Sequence, residues 1–220
     1  MTNVTTRTLR TIPILLCASL ALSACSVTPG DAARRGGHYP QAAKLYEVRA
    51  NNGDALAAEK LGELYHLRPG LPEDRQRAVY WYEKAVTRGQ IGPIWSLGTI
   101  YRDGTGNVPR DISKAQFWFQ KGADAGQHYS MYDLADLYAS DAIEPRNDVV
   151  ALMWLEVVTE FSKTYPKGNE GAQYILRDPK QVRQRLESRM TAADAAKSRE
   201  LAKEWSARWS ATHDQRQRKP

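Results

Sequence analysis

Two short phrases recur through the middle of the chain with a common period, and this repetition limits the folds that are open to it. The first phrase is leucine, a small residue, two variable residues and tyrosine. The second is alanine, two variable residues, tryptophan and a large apolar residue. Three copies of each are present about 36 residues apart, beginning at Leu61, Leu97 and Leu134 and at Ala78, Ala115 and Ala151. Two interleaved phrases with one period predict a two-element unit stacked on copies of itself.

Both phrases have the spacing of helices. In the second copy, Ile94, Leu97, Gly98 and Tyr101 fall on one face of a helix. Asp111 precedes the next apolar run and is predicted to cap its helix by accepting hydrogen bonds from free backbone amides. Asp74 and Asn147 hold the same place in the neighbouring copies. The sequence therefore predicts an all-α fold, an α-solenoid of stacked antiparallel helix pairs.

A small residue is expected wherever the two helices of a unit approach each other closely. Gly62, Gly98 and Ala135 hold equivalent positions in the first phrase, and Ala78, Ala115 and Ala151 of the second phrase are expected to accept the large rings across the gap. A bulkier residue there is expected to overpack the contact, at a cost of about 1–3 kcal/mol.

The period also divides the chain. A half-copy around Tyr39 precedes the full copies and matches only the second helix of the unit, and the period fails after Glu160. Trp205 and Trp209 are expected to pack a closing helix against the stack, because a stack must cover its open core. The predicted parts are repeats at 38–163, a loop at 164–171, capping helices at 172–210 and a basic tail at 211–220. The two capping helices are predicted to run roughly from Asp178 to Arg189 and from Ala192 to Arg208.

The amino terminus has the features of a secretory signal, at residues 1–24. Two arginines precede an apolar run that is too short to span a bilayer. The sequence Leu-Ser-Ala-Cys ending at Cys25 resembles the bacterial lipobox, which implies a lipid on Cys25, a tether at 25–37 and attachment to a membrane. Ser26 favours the outer membrane by the same resemblance. Ordinary cleavage after Ala24 is the alternative.

The cysteine content and the net charge limit the kinds of site and partner that the chain can have. The chain has two cysteines, Cys17 in the signal and Cys25, so the remaining domain has no disulfide and no cysteine ligand for a metal. The net charge of +6 is modest, and a secreted chain with so little excess charge is not expected to bind nucleic acid. The basic tail is expected to be solvated, with anionic lipid or polysaccharide as an alternative contact.

Taken together, the two phrases, the glycine-containing loop and the capping acid resemble the Sel-one-like repeat, a relative of the tetratricopeptide repeat. The resemblance extends from Tyr39 to Glu160. It implies an α-solenoid that binds other proteins or, in some envelope members, takes part in polysaccharide export complexes. Some secreted members have a disulfide in each repeat, and this chain has no repeat cysteines. The third copy also departs from the pattern, because Leu155 replaces the second aromatic residue.

No motif for catalysis or cofactor binding is evident. There is no nucleophile elbow and no phosphate-binding loop, and the four histidines are scattered without the spacing of metal ligands. We therefore predict no enzymatic activity, no cofactor and no metal.

A binding groove is predicted instead. In related helical repeats the first helix of each pair lines the concave side. Non-core positions there include Trp95, Arg102, Tyr132 and His66, and exposed aromatic and arginine side chains are typical binding anchors. The alternative is that Trp95 and Tyr132 fill gaps between repeats.

The function predicted from these features is a lipid-anchored scaffold or adaptor on the periplasmic side of the bacterial envelope, with an unidentified protein partner. An immunity-type lipoprotein that neutralises a toxic effector is one alternative. An envelope hydrolase acting on peptidoglycan or a β-lactam, and a carbohydrate-binding module, are alternatives of other classes.

Overall fold

The computed structural model describes residues 27–67, 74–104, 106–140, 142–143, 146–163 and 179–217. Throughout these residues the regular elements are α-helices, and no strand is present among them. They are α1 (Pro29–Arg35), α2 (Tyr39–Asn51), α3 (Ala55–Leu67), α4 (Arg75–Thr87), α5 (Pro93–Asp103), α6 (Ile112–Asp124), α7 (His128–Ala139), α8 (Asp148–Ser162), α9 (Pro179–Glu187) and α10 (Ala192–Gln217).

The helices form a stack in chain order. Each helix from α1 to α8 packs against the next one along the chain, and α8 also packs against α9 and α10. Buried side chains from successive pairs form adjoining clusters that follow the stack. This is the arrangement expected of units that bury their apolar faces against their neighbours, and it confirms the predicted α-solenoid.

The predicted caps are present at the starts of α4, α6 and α8. The side chains of Asp74, Asp111 and Asn147 each accept a hydrogen bond from the backbone N–H three residues later, at 3.0, 2.9 and 3.1 Å. These bonds satisfy amides that have no partner inside the helix.

Glycine is required where two helices of a repeat cross closely. A Cβ atom on Gly62 would lie 2.5 Å from Cδ1 of Tyr82, and a Cβ atom on Gly98 would overlap the ring of Phe119. Both rings are fully buried. The aromatic residue of the second phrase therefore fills the space that the glycine of the first phrase leaves open.

The third repeat forms the equivalent contact with a different pair of residues. Ala135 replaces the glycine and Leu155 replaces the aromatic residue, and both are fully buried. The two departures from the repeat pattern are therefore complementary, since the smaller leucine leaves room for the added methyl group.

The start of the stack differs from the sequence prediction. Residues 29–35, within the segment predicted as a tether, form α1, which packs on α2. Gly30 contacts the buried ring of Tyr46 in the manner of the later glycines, because a Cβ atom there would lie 2.7 Å from Cε1 of that ring. The half-copy around Tyr39 is thus a shortened repeat whose first helix has two turns.

Asp31 fixes α1 to the repeats that follow. Its carboxylate is buried and accepts hydrogen bonds from the Thr28 hydroxyl at 2.7 Å, the Tyr46 hydroxyl at 2.7 Å and the Lys60 ammonium at 2.6 Å. These bonds, led by the one from Lys60, hold the pKa of Asp31 well below its usual range. Burial, together with the bond to Asp31, raises the pKa of Tyr46 to about 12.

The other end of the stack is closed by α10, which continues beyond the predicted end at Arg208 to Gln217 and so enters the segment predicted as a tail. Trp205 packs against Trp154 of α8, with ring centroids 5.1 Å apart, and Trp209 packs against Phe161 at 4.9 Å. The predicted signal, Cys25 and the predicted loop at 164–171 lie outside the described residues.

Candidate functional site

The first helices of the three full repeats, α3, α5 and α7, provide the residues predicted to bind a partner. The structure brings two of them to one point. Trp95 Nε1–H donates to Asp133 Oδ2 at 2.5 Å, and Arg102 donates to Asp133 Oδ1 at 2.8 Å. Both bonds run from α5 to α7. Trp95 and Arg102 therefore join the second repeat to the third, as the gap-filling alternative expects for Trp95.

Asp133 is the centre of this arrangement, and sequence reasoning missed it. It is 4% exposed and lies one position before the core residue Leu134. Burial raises the pKa of Asp133, while the Arg102 guanidinium acts against that shift. The same repeat position holds Lys60 in the first copy, where it bonds Asp31 of the preceding unit. Residues of opposite charge at this one repeat position thus each form an ion pair with the preceding unit.

Aromatic side chains surround this junction. The rings of Trp95 and Tyr129 are 5.5 Å apart, and those of Tyr129 and His128 are 4.2 Å apart. Tyr132 is half-buried against the core of the third repeat. Burial lowers the pKa of His128, so the neutral imidazole is favoured beside these rings. The rings of Trp95, Tyr129 and His128 therefore form one contiguous cluster beside the junction.

His66 lies in a different setting from the other three predicted residues. Its Nδ1 is 3.4 Å from the hydroxyl oxygen of Tyr82 in its own repeat, and its ring meets the Tyr82 ring edge-on at 6.0 Å. Both of these contacts lie within the first repeat, whereas Trp95 and Arg102 share Asp133.

Carboxylates extend the same row of helices in both directions. Glu59 and Glu63 lie on α3, and Asp136 is exposed on α7. Burial raises the pKa of Glu59, and the charge of Glu63 adds to that effect. Neither glutamate forms an ion pair with a residue that the structure describes. The row thus combines a rigid aromatic and arginine centre with acidic flanks.

Among the described residues, no group of three or more histidine, cysteine, aspartate or glutamate side chains is placed to hold a metal ion. Of the helices that the structure describes, none combines the length and the apolar character needed to cross a membrane.

Comparison with protein families identifies the repeating unit. The family model described as the Sel1 repeat matches residues 55–90, 94–127 and 128–156. The chain contains three Sel1 repeats. The matched segments coincide with the helix pairs α3–α4, α5–α6 and α7–α8. Proteins with Sel1 repeats are generally non-catalytic scaffolds for protein–protein interaction.

The fold resembles that of a protein whose structure has been solved. A protective antigen present in uropathogenic Escherichia coli strains, which displays an SLR fold, superimposes on 82% of this chain with a TM-score of 0.61 and 24% identity. The chain spans 36% of that protein's length. A Sel1 repeat protein from Oxalobacter formigenes aligns over 60% of this chain and 95% of its own, with 28% identity and a TM-score of 0.45. No curated protein matches the chain in sequence.

Proposed function

We propose that this protein is a lipid-anchored scaffold of the bacterial envelope that binds a protein partner along the row formed by α3, α5 and α7. We call this row the groove face, and it comprises Glu59, Glu63, His66, Trp95, Arg102, Tyr129, Tyr132 and Asp136. The Sel1 repeats support the general role of protein interaction. The choice of face rests on the side chains described above.

One observation carries the proposal. Trp95 and Arg102 are held in place by buried Asp133 before any partner arrives. Fixed aromatic and arginine side chains lose little conformational freedom on binding, so more of their contact energy appears as affinity. The carboxylates of Glu59 and Glu63, which form no ion pair with a residue that the structure describes, favour a partner segment that carries basic residues.

The membrane anchor is proposed from the sequence. The lipobox-like cysteine at position 25 is followed by α1, which begins at Pro29. Four residues of extended chain span at most about 14 Å. With a lipid on Cys25, the shortened first repeat would therefore lie close to the membrane surface.

Affinity capture from detergent-solubilised membranes, followed by mass spectrometry, tests the groove face. The bait variants are Glu63→Arg and Asp136→Arg, which reverse charges on α3 and α7 without removing a hydrogen bond of the Asp133 junction. Glu83→Arg on α4 is the matched control, because it makes the same change on the second helix of a repeat.

We expect at least one partner to be retained by the control and reduced about tenfold with both groove variants. A partner that is lost equally with all three variants, or with none, would remove the support for this face. Radiolabelled palmitate incorporation, compared between the natural chain and Cys25→Ser, tests the anchor separately.

A further inference from the structure

Helix α10 covers one face of α8, and this contact shows which side chains can pack against that face of a repeat. Val157 of α8 is fully buried there, and Ala202 of α10 is 7% exposed. The two residues border the same cavity, together with Glu156 and Glu160 of α8. Small side chains on α10 therefore lie against an apolar position of α8, with carboxylates beside it.

No residue that the structure describes covers the equivalent face of α6 as α10 covers α8. The repeat places Phe117 where α8 has Met153, and Lys121 where α8 has Val157. Phe117 is 59% exposed, whereas Met153 is 8% exposed. A groove of about 540 Å³ follows this face, which we call the α6 groove, lined by Ser113, Gln116, Phe117, Gln120, Lys121 and Asp124.

The α6 groove is continuous with the layer that α10 forms. Gln120 and Asp124 border it and also border a neighbouring cavity that reaches Trp205 and Trp209 of α10. The indole N–H of Trp209 donates to the backbone oxygen of Asp124 at 3.2 Å. A helix placed in the α6 groove would therefore lie beside α10 and extend the same layer.

The charge of Lys121 indicates which kind of helix would fit the α6 groove. The Lys121 ammonium lies 5.0 Å from the centre of the Trp118 ring and forms no ion pair with a residue that the structure describes. Where α8 offers Val157 to a small residue of α10, α6 offers a cation. A carboxylate on the occupant would meet that cation. A second copy of this chain fits less well, because the small residue of α10 at this place, Ala202, is already buried against α8 of its own chain.

We propose that the α6 groove docks an amphipathic helix of a partner protein, with small apolar residues along its contact face and an acidic residue opposite Lys121. This surface lies on a second helix of a repeat, so it is separate from the groove face. Helices that bind in grooves commonly do so through apolar residues three and four positions apart.

A peptide built on α10 supplies a defined probe, because α10 already occupies the equivalent face. Fluorescein-labelled peptides of residues 192–210 are prepared with the natural sequence and with Ala202→Glu. Fluorescence anisotropy measures the binding of each peptide to the full protein and to its variants. We expect the Ala202→Glu peptide to bind the natural protein about tenfold more tightly than the unsubstituted peptide does.

Three protein variants test whether the peptides bind in the α6 groove. Phe117→Ser should weaken the Ala202→Glu peptide about tenfold, and Lys121→Val should reverse the preference between the two peptides. Leu56→Ser is the matched control, since Leu56 is an exposed apolar residue of α3, and it should change neither affinity. Circular dichroism confirms that each variant remains folded.

Equal binding of the two peptides, or binding that Phe117→Ser leaves unchanged, would overturn the proposal. So would binding of the natural protein to phosphatidylglycerol vesicles that is lost in Phe117→Ser and Lys121→Val while neither peptide binds, because the α6 groove would then be a lipid contact.

Discussion

The two ends of the stack begin their closing helices with the same local motif but are held by different forces. A threonine followed three residues later by an aspartate starts both α1 and α10. The Thr28 and Thr191 hydroxyls donate to Asp31 and Asp194, each at 2.7 Å, and each aspartate N–H donates back to its threonine. Both are capping boxes with aspartate in place of glutamate.

The surroundings of the two aspartates differ. Asp31 is buried and also accepts from Tyr46 and Lys60 of later helices. Asp194 is partly exposed, and the structure gives it no such distant partner among the described residues. At this end the indole rings of Trp205 and Trp209 make the distant contacts.

Helix length explains the difference. The helix α1 has 7 residues and α10 has 26. A two-turn helix offers little apolar area to a neighbour, so directional bonds to a buried carboxylate hold it. A long helix can place several aromatic rings on the stack. The amino-terminal end should therefore respond to acid, and the carboxy-terminal end to the loss of apolar side chains.

Trp205→Ala should have the largest effect. Removing the half-buried indole between Trp154 and Phe161 leaves a cavity and should lower the free energy of unfolding by about 3 kcal/mol. Urea unfolding followed by far-ultraviolet circular dichroism measures this change. Trp205→Phe should recover part of it. An unchanged midpoint for Trp205→Ala would mean that α10 is not fixed by its aromatic residues.

Gly98→Ala provides a reference from the interior of the stack. The added methyl group overlaps the Phe119 ring and should cost about 2 kcal/mol. Combining it with Phe119→Leu reproduces the pair Ala135 and Leu155 of the third repeat. We expect a favourable coupling of about 1 kcal/mol or more in the double-mutant cycle. Additive losses would show that the backbone, and not the ring, limits this contact.

Asp31→Asn should lower the free energy of unfolding by about 1–2 kcal/mol at neutral pH, because the ionic component of the bonds to Lys60 and Tyr46 is lost. Thermal unfolding monitored by circular dichroism measures the effect. An effect larger than that of Trp205→Ala would reverse the comparison between the ends.

The same variant should reveal the response to acid. The pKa of Asp31 lies lower in the folded protein than in the unfolded chain. Ionised Asp31 therefore stabilises the fold fully above about pH 4, and this contribution is lost as the pH falls below that value. The difference in stability between the natural protein and Asp31→Asn should be constant near neutral pH and shrink under acid. A difference that grows in acid would contradict the assigned role.

Asp194→Asn should have the smallest effect, well below that of Asp31→Asn, because only the local capping box is altered. Side-by-side thermal unfolding of the two variants measures the contrast. Equal losses would show that the capping box, and not the distant bonds of Asp31, accounts for both effects.

The helices of the repeats were predictable because the same kind of capping residue marks the start of the second helix in each copy. The capping residues Asp74, Asp111 and Asn147 precede the same phrase in each copy, and all three cap helices in the structure. The start of α10 was also predictable, because Thr191 and Asp194 form a local motif. Its end was not, since no helix-stopping residue precedes the basic segment into which it continues.

The shortened first helix could not be predicted from the period. Gly30 is separated from Tyr46 by fewer residues than Gly62 is from Tyr82, so the alignment of copies skips α1. Its place becomes clear only when the two rings are seen against the two glycines.

The candidate site was predicted only in part. Trp95 and Arg102 were singled out as non-core residues of a first helix, and both are half-buried in the structure, but their shared bond to Asp133 depends on residues more than 30 positions apart. A buried acid beside Leu134 has no acidic counterpart in the other copies, since Lys60 and Ser96 hold that position. Such contacts arise only when the units stack, so the sequence pattern of a single unit does not predict them.

The matched glycine–aromatic and alanine–leucine contacts bear on how such a chain can evolve. A recombination point within a hairpin would join the first helix of one repeat to the second helix of another. Ala135 would then face a ring, or Gly98 would face Leu155 across an empty space. Exchange between copies is tolerated only when whole hairpins move, so the turn at Gly126, between α6 and α7, is a permitted breakpoint, and the interior of a hairpin is not.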